Sequence, residues 1–260
     1  MSDRHSDGSA GDANYGKIGL SYSQYRQPDP RIAAQIERCL GDAKKIINVG
    51  AGAGSYEPTD REVTAIEPSA SMRAQRPPHL SAAIDATAET LPFAGQTFDA
   101  AMATFTVHQW ADLAKGLAEM RRVTKGPVVI MTCDPAELFC FWLKDYCREV
   151  LETESRRYPT IDAIRAGLGG DVEVLRVPIP LDCKDGFNEA YYGRPEMLLD
   201  PNARLSCSAW SFVPPATVAE FESRLRRDLE NGTWDKAHGH LRSKPWLACS
   251  LRLVVSRPSN

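Results

Sequence analysis

The sequence predicts an α/β protein: an open, mostly parallel sheet with helices on both faces and an inserted cap. Three observations lead there. Short apolar runs alternate with helical patterns, as a parallel sheet covered on both faces requires. One such run, Lys45 to Val49, ends directly in a turn of small residues, Gly50-Ala51-Gly52-Ala53-Gly54-Ser55. A stretch of about 70 residues parts the last two strand-like runs, too long for an ordinary connection, so it should hold structure of its own.

Residues 1–14 are Ser, Gly, Asp and Ala with almost no apolar content and cannot offset their ordering entropy by burial, so a disordered tail is expected there. Residues 15–260 are expected to form one domain, with a ligand-binding core over about 41–135 and cap segments over 15–40 and about 136–245. Tyr22, Tyr25 and Arg26 precede Pro28-Asp29-Pro30, and Ile32, Ile36 and Leu40 follow at helical spacing up to Gly41. Strands are expected over 45–49, 62–66, 81–84, 98–106 and 127–132, and helices near 69–75, 111–123 and 136–154. Beyond them come late strands over 172–179 and 251–256, a helix near 216–229 and a substrate-facing segment near 187–201.

The net charge of −3, from 31 basic and 34 acidic residues, offers no electrostatic footprint for nucleic acid or an anionic membrane. No run of about 18 apolar residues is present to span a bilayer, and the N-terminus has no apolar signal core. The seven cysteines are scattered, with no CxxC pair, which suggests neither a disulfide framework nor a zinc site and fits the reducing cytoplasm. Cys133, Cys140 and Cys147 recur every seven residues, as buried cysteines on a helix face would. His238-Gly239-His240 lacks a third ligand at metal spacing, so no metal is expected. The expected partner is a small molecule, bound by a monomer or a homodimer.

The glycine turn needs small residues because a ligand must approach the backbone closely there. A dinucleotide fingerprint would want glycines at positions one, three and six, and counting from Gly50 the sixth is Ser55. The next strand, Val63 to Ile66, closes on Glu67-Pro68, placing a carboxylate where it can accept hydrogen bonds from both hydroxyls of a ribose. Then come Asp85-Ala86-Thr87-Ala88-Glu89-Thr90-Leu91-Pro92-Phe93, Phe98-Asp99, Leu117-Ala118-Glu119-Met120-Arg121-Arg122-Val123 and Gly126-Pro127. In this order the motifs resemble those of the class I S-adenosylmethionine-dependent methyltransferases, specifically the ubiquinone-biosynthesis-like type 11 group, over roughly Lys45 to Thr132.

The resemblance implies a Rossmann-like fold, S-adenosyl-L-methionine as cofactor with S-adenosyl-L-homocysteine as product, and methylation of a small metabolite or natural product. It implies that Gly50, Ala51 and Gly52 pass under the methionine portion, that Glu67 holds the ribose beside Pro68, and that Met72 flanks the adenine. Ala88 would offer its amide to an adenine nitrogen beside Thr87 and Glu89, Thr104 and Phe105 would border the sulfonium, and Tyr25 would reach the cofactor from the first segment. Asn48 stands where the family has an acid for the methionine end, and Thr87 where an Asp contacts the adenine amino group. Those departures leave room for a catalytically silent S-adenosylmethionine binder, and an NAD(P)-dependent oxidoreductase is the other alternative.

Methyl transfer from a sulfonium mainly requires alignment, with a general base only where the acceptor's proton must leave early. His108, just past the fourth expected strand, is the candidate base, since imidazole titrates near neutral pH. Candidate acceptor contacts are Tyr22, Trp110 by cation–π contact, Asp134 at the mouth, and Tyr191, Tyr192 and Arg194 in the late insertion.

Overall fold

In the computed structural model, which describes Gly11 and residues 22–258 apart from the side chains of Tyr22 and Ser23, the apolar runs assemble into a six-stranded sheet. Ahead of it lie a short helix, α1 (Tyr22–Tyr25), and a longer one, α2 (Pro30–Leu40). Asp29 caps α2 by accepting from the Arg31 amide, Pro30 fills its first position, and Gly41 at φ 59° ends it. The expected tail lies outside the described residues except for Gly11.

The strands and their connections follow as β1 (Lys45–Val49), β2 (Glu62–Ile66), α3 (Ala70–Arg73), β3 (Ala100–Thr104), α4 (Leu113–Val123) and β4 (Val128–Cys133). The second half contributes α5 (Leu143–Tyr146), α6 (Arg148–Arg157), α7 (Ile161–Leu168), β5 (Asp171–Arg176), β6 (Ile179–Pro180), α8 (Pro201–Leu205), α9 (Pro215–Glu230), α10 (Thr233–His238), β7 (Trp246–Leu247) and β8 (Leu251–Arg257). Sheet order is β2-β1-β3-β4-β8-β5, and β8 alone runs antiparallel to its neighbours. The chain moves outward from β1 to β2 and then back across to β3. That reversal opens a crevice at the carboxyl ends of β1 and β3, where α/β sheets bind ligands.

Alternating side chains split the core in two. Ile46, Met102, Val129 and Leu253 face α2 and the late insertion, whose Trp142, Tyr192, Phe221 and Trp234 extend the same buried cluster. Ile47, Ala101, Ile130 and Val254 face α4 and α7 through Leu117, Met120, Ile164 and Leu168. The insertion is thus welded to the sheet by apolar burial.

Several expectations are corrected. The strand over 81–84 is a single bridge, because of that segment only Ile84 meets β2, donating to Ala65 O and accepting from Glu67 N. The strand over 98–106 stops at Thr104, where Phe105 turns at φ 52°. The helix over 136–154 is a 3-10 turn at Pro135–Glu137 followed by α5 and α6, parted at Cys147 (φ −149°, ψ 77°). The strand over 172–179 divides into β5 and β6, the latter pairing with β7 in a second, two-stranded sheet. Contrary to the disulfide-free reading, Cys140 and Cys249 are joined, with Cα atoms 6.0 Å apart. A sequence separation of 109 hides that pair from any spacing rule. No described helix is long and apolar enough to cross a membrane.

Candidate active site

The glycine turn after β1 is built for close approach. Gly50, Gly52 and Gly54 have φ of 71°, 53° and 97°, values other residues adopt only with strain. A Cβ on Gly50 would overlap the Thr106 hydroxyl, whereas one on Gly52 would meet only the Met72 methyl at 3.3 Å. Glu67, at the end of β2, clasps the turn from the side. One carboxylate oxygen accepts from Gly52 N and the other from Ser69 N, both at 2.8 Å. Burial pushes its pKa up, and these two amides pull it partly back.

From beneath, the turn is held by a buried ion pair. Arg76 donates to both oxygens of Glu57 at 3.0 and 2.8 Å, and its Nη1 also lies 3.4 Å from Gly52 O. Asn48 Nδ2 donates to the same Glu57 at 3.0 Å. Asn48, expected to contact the cofactor, is therefore turned inward as part of the brace.

Above the turn lies a cavity lined by Gly50, Ala51, Gly52, Glu67, Pro68, Met72, Thr87, Ala88, Glu89, Thr104, Phe105 and Trp110, all singled out from the sequence, and by Gly11, Ala53, Ser55, Thr106 and Gln109, which were not. Glu89 fixes one wall by accepting from Asp112 N at 3.1 Å. Trp110 closes another wall over Gly116 of α4, where a side chain would collide with the indole. Gln109 is 9% exposed, and both its amide atoms lack a hydrogen-bond partner among the described residues. A buried, unsatisfied amide facing a cavity points to a ligand that completes it. Its signal in the sequence is a polar amide set between two rings, His108-Gln109-Trp110, just past a strand end.

A second, smaller cavity lies on the other side of Phe105, lined by His108, Arg26, Cys133, Glu154, Arg157, Tyr158, Phe187, Asn188 and Glu189 among others. Phe105 packs at 5.2 Å from the Phe187 ring, with the Arg26 guanidinium 4.8 Å over its face. His108 packs on Tyr158 with ring centroids 4.5 Å apart. Arg26 is held by Asp185 at 2.6 Å, and Asp185 in turn accepts from the Tyr56 hydroxyl at 2.9 Å. Two carboxyls share this cavity. Burial raises Glu154 to about 7 and Glu189 to about 8.

Other expected site residues are placed elsewhere. The Tyr25 hydroxyl donates to Asp200, away from the first cavity. Asp134 caps the Pro135 turn by accepting from Ala136 N at 3.1 Å. Tyr191 is buried in the core, and Tyr192 donates to Lys244 O at 2.6 Å. Arg194 donates to the carbonyls of Cys183 and Ala190 at 2.8 and 3.1 Å, so its charge is spent on the cap's own backbone. Tyr22 lies on α1, and its side chain falls outside the described residues. Within the expected 187–201 segment, it is Phe187, Asn188 and Glu189 that reach a cavity.

A family model described as a methyltransferase domain matches residues 47–130. Among solved structures, a protein of Anabaena variabilis named for a methyltransferase of an antibiotic biosynthesis pathway superposes with a TM-score of 0.83 at 27% identity, covering 90% of this chain and 99% of that one. A phosphoethanolamine N-methyltransferase of Haemonchus contortus, holding phosphomonomethylethanolamine and S-adenosylhomocysteine, has a TM-score of 0.52 at 14% identity, over 94% of this chain and 57% of that one. The [4+2]-cyclase SpnF gives 0.53 at 15%, over 94% and 92%. No curated protein matches.

Proposed function

Because this chain is built on a class I S-adenosylmethionine-dependent methyltransferase domain of the type 11 group and uses that donor, we propose that it methylates a small molecule held behind Phe105. The observation that carries this reading is the pair of cavities sharing Phe105 as their common wall, at the carboxyl end of β3. One has the features of a donor site and the other of an acceptor site. The Anabaena protein's name supports a natural-product acceptor in particular.

The first cavity fits the donor by its own chemistry. Gly52 leaves space in which a Cβ would meet only the Met72 methyl, Glu67 keeps acceptor capacity beyond the two amides it already serves, and the orphaned Gln109 amide awaits a polar partner. In this reading Glu67 takes the ribose hydroxyls, with Pro68 and Met72 flanking the adenine. Thr87, Ala88 and Glu89 border its edge, and Gly50, Ala51 and Gly52 run beneath the methionine. Gln109 and Thr106 join them as contacts, and Thr104 and Phe105 border the sulfonium. When bound, the cofactor supplies a methyl group already activated for displacement, so what remains for the protein is alignment and exclusion of water. Trp110 covers the opening on one side and Phe105 separates the two ligands on the other. His108 lines the acceptor side, where it can orient an acceptor or take its proton.

Isothermal calorimetry with S-adenosylhomocysteine tests the donor site. Glu67→Ala should weaken binding by more than about tenfold, since each charge-assisted hydrogen bond contributes roughly 1.5–3 kcal/mol. Unchanged affinity in a variant with native circular dichroism would remove Glu67 from the site. Release of labelled methyl to small-molecule extracts tests the transfer itself, and it matters because a cyclase shares this fold.

A further inference from the structure

Glu189 is 2% exposed, and neither of its carboxyl oxygens receives a hydrogen bond among the described residues. An ionisable group buried without a partner is costly and calls for compensation. Within the protein its polar neighbours are the Ser250 hydroxyl and amide, which draw its affinity for a proton partly back without closing a hydrogen bond of good geometry on either oxygen. The Cys140 and Cys249 sulfurs lie within 4.8 Å of its carboxyl but are joined as a disulfide, so they bring no charge and no donor. Arg252, which acts on it from a distance, is paired with Glu137 at 2.7 Å. The open side of Glu189 is the second cavity.

Across that cavity stands Glu154, whose Oε1 accepts from Asn188 Nδ2 at 2.9 Å. The Asn188 amide is itself fixed, because its Oδ1 accepts from the Trp210 indole at 2.9 Å. This polar chain leaves the second oxygen of Glu154 and both oxygens of Glu189 for a ligand. The cations that face the cavity are already engaged. Arg26 is paired with Asp185 at 2.6 Å, and Arg157 donates to Ser208 Oγ at 3.0 Å. Four rings, Phe105, His108, Tyr158 and Phe187, form much of the remaining wall, with Leu138, two cysteines and two serines completing it.

We propose that Glu154 and Glu189 form an amine-recognition site, so that the acceptor methylated by this protein carries a basic nitrogen held between the two carboxylates within an aromatic enclosure. An ammonium group offers up to three N–H donors and a positive charge, against the single donor of a hydroxyl. It matches three vacant acceptor oxygens, offsets the charge that burial penalises, and gains cation–π contact from the rings. A carboxylate or phosphate ligand would instead add like charge to two buried acids. Burial raises the affinity of both groups for a proton by more than Asn188, Arg157 and Arg26 lower it at Glu154, or Ser250 and Arg252 at Glu189, so a cationic ligand would relieve what remains. The proposal rests on the small-molecule methyltransferase reading above and specifies its acceptor.

Calorimetry with the S-adenosylhomocysteine-saturated protein tests it, using matched probes that differ in one group: 2-phenylethylamine, 2-phenylethanol and phenylacetate, and the butyl trio of amine, alcohol and acid. In at least one trio the amine should bind about tenfold more tightly than its alcohol and acid, as expected for one desolvated charge pair. Glu189→Gln and Glu154→Gln should each bring the three members of that trio to within about threefold, with S-adenosylhomocysteine affinity retained and a cooperative melt no lower than that of wild type. Amines with no advantage in either trio, or an advantage that survives both substitutions, would overturn the proposal. Failure of S-adenosylhomocysteine to bind at all would instead overturn the donor-site reading, so the two failures are distinguishable.

Discussion

Gly50 and Gly52 share a left-handed backbone but face different neighbours, and this separates what each contributes. Alanine at either position accepts the left-handed strain of about 1–2 kcal/mol. At Gly52 the new methyl meets only the flexible end of Met72, which can move, whereas at Gly50 it meets the Thr106 side chain, itself buried beside the turn. Gly50→Ala should therefore lower the urea midpoint further than Gly52→Ala and cost more S-adenosylhomocysteine affinity, by about tenfold against about threefold. Equal losses by calorimetry would mean that strain alone, and not the Thr106 contact, governs the turn. These glycines and Glu67 were legible in the sequence because their demands are local: a dihedral angle, a strand end. The Glu57–Arg76 brace was not, since those side chains meet only once the turn has folded, and nothing in the spacing of nineteen residues signals it. Asn48 was misplaced for the same reason, because its partner Glu57 becomes visible only in three dimensions.

Helix α4 sets a local preference against a packing demand. Gly116 sits in its interior, and replacement by Ala would ordinarily favour the helix by about 1 kcal/mol. The added methyl would collide with Trp110, which lines the first cavity, and would also press on Ala88 at 3.2 Å. We expect Gly116→Ala to keep its helix content by circular dichroism while losing about five- to tenfold in S-adenosylhomocysteine affinity as Trp110 is displaced. A variant that melts higher and binds normally would show that Trp110 contributes nothing to the site. At this scale the sequence is legible where one period dominates. β1 and β2 lie at the expected bounds, and α9 lies within a residue of its expected ends. It is not legible where apolar spacing continues through a break, as at Cys147, because periodicity persists across a bend that only packing imposes.

Placing two acids in one cavity makes the stability of the whole molecule depend on pH in a definable way. Glu189 titrates near 8 in the folded chain and near the ordinary 4.5 when unfolded, and Glu154 near 7 against the same reference. Below about pH 4.5 both states are protonated and no penalty arises. Between there and the folded value the unfolded chain has released a proton that the folded chain retains, so rising pH favours unfolding, and the loss is complete above about 8. Glu189→Gln removes this dependence while keeping the shape of the side chain. The variant should melt close to wild type at pH 5 and progressively above it up to pH 9, with a gain of about 2–4 kcal/mol once hydration of the cavity is allowed for. Arg26, Arg157, Arg252, His108 and Cys133 are common to both proteins and largely cancel in the difference, whereas Glu154, repelled by an ionised Glu189, is relieved in the variant and adds to the gain in the same direction. Adding 2-phenylethylamine at pH 8 should raise the wild-type melting temperature and leave the variant unmoved, since the amine supplies the charge that the folded cavity lacks. A difference between the two proteins that stays flat from pH 5 to 9 would show that Glu189 titrates as a surface acid does and carries no burial penalty for an acceptor to relieve.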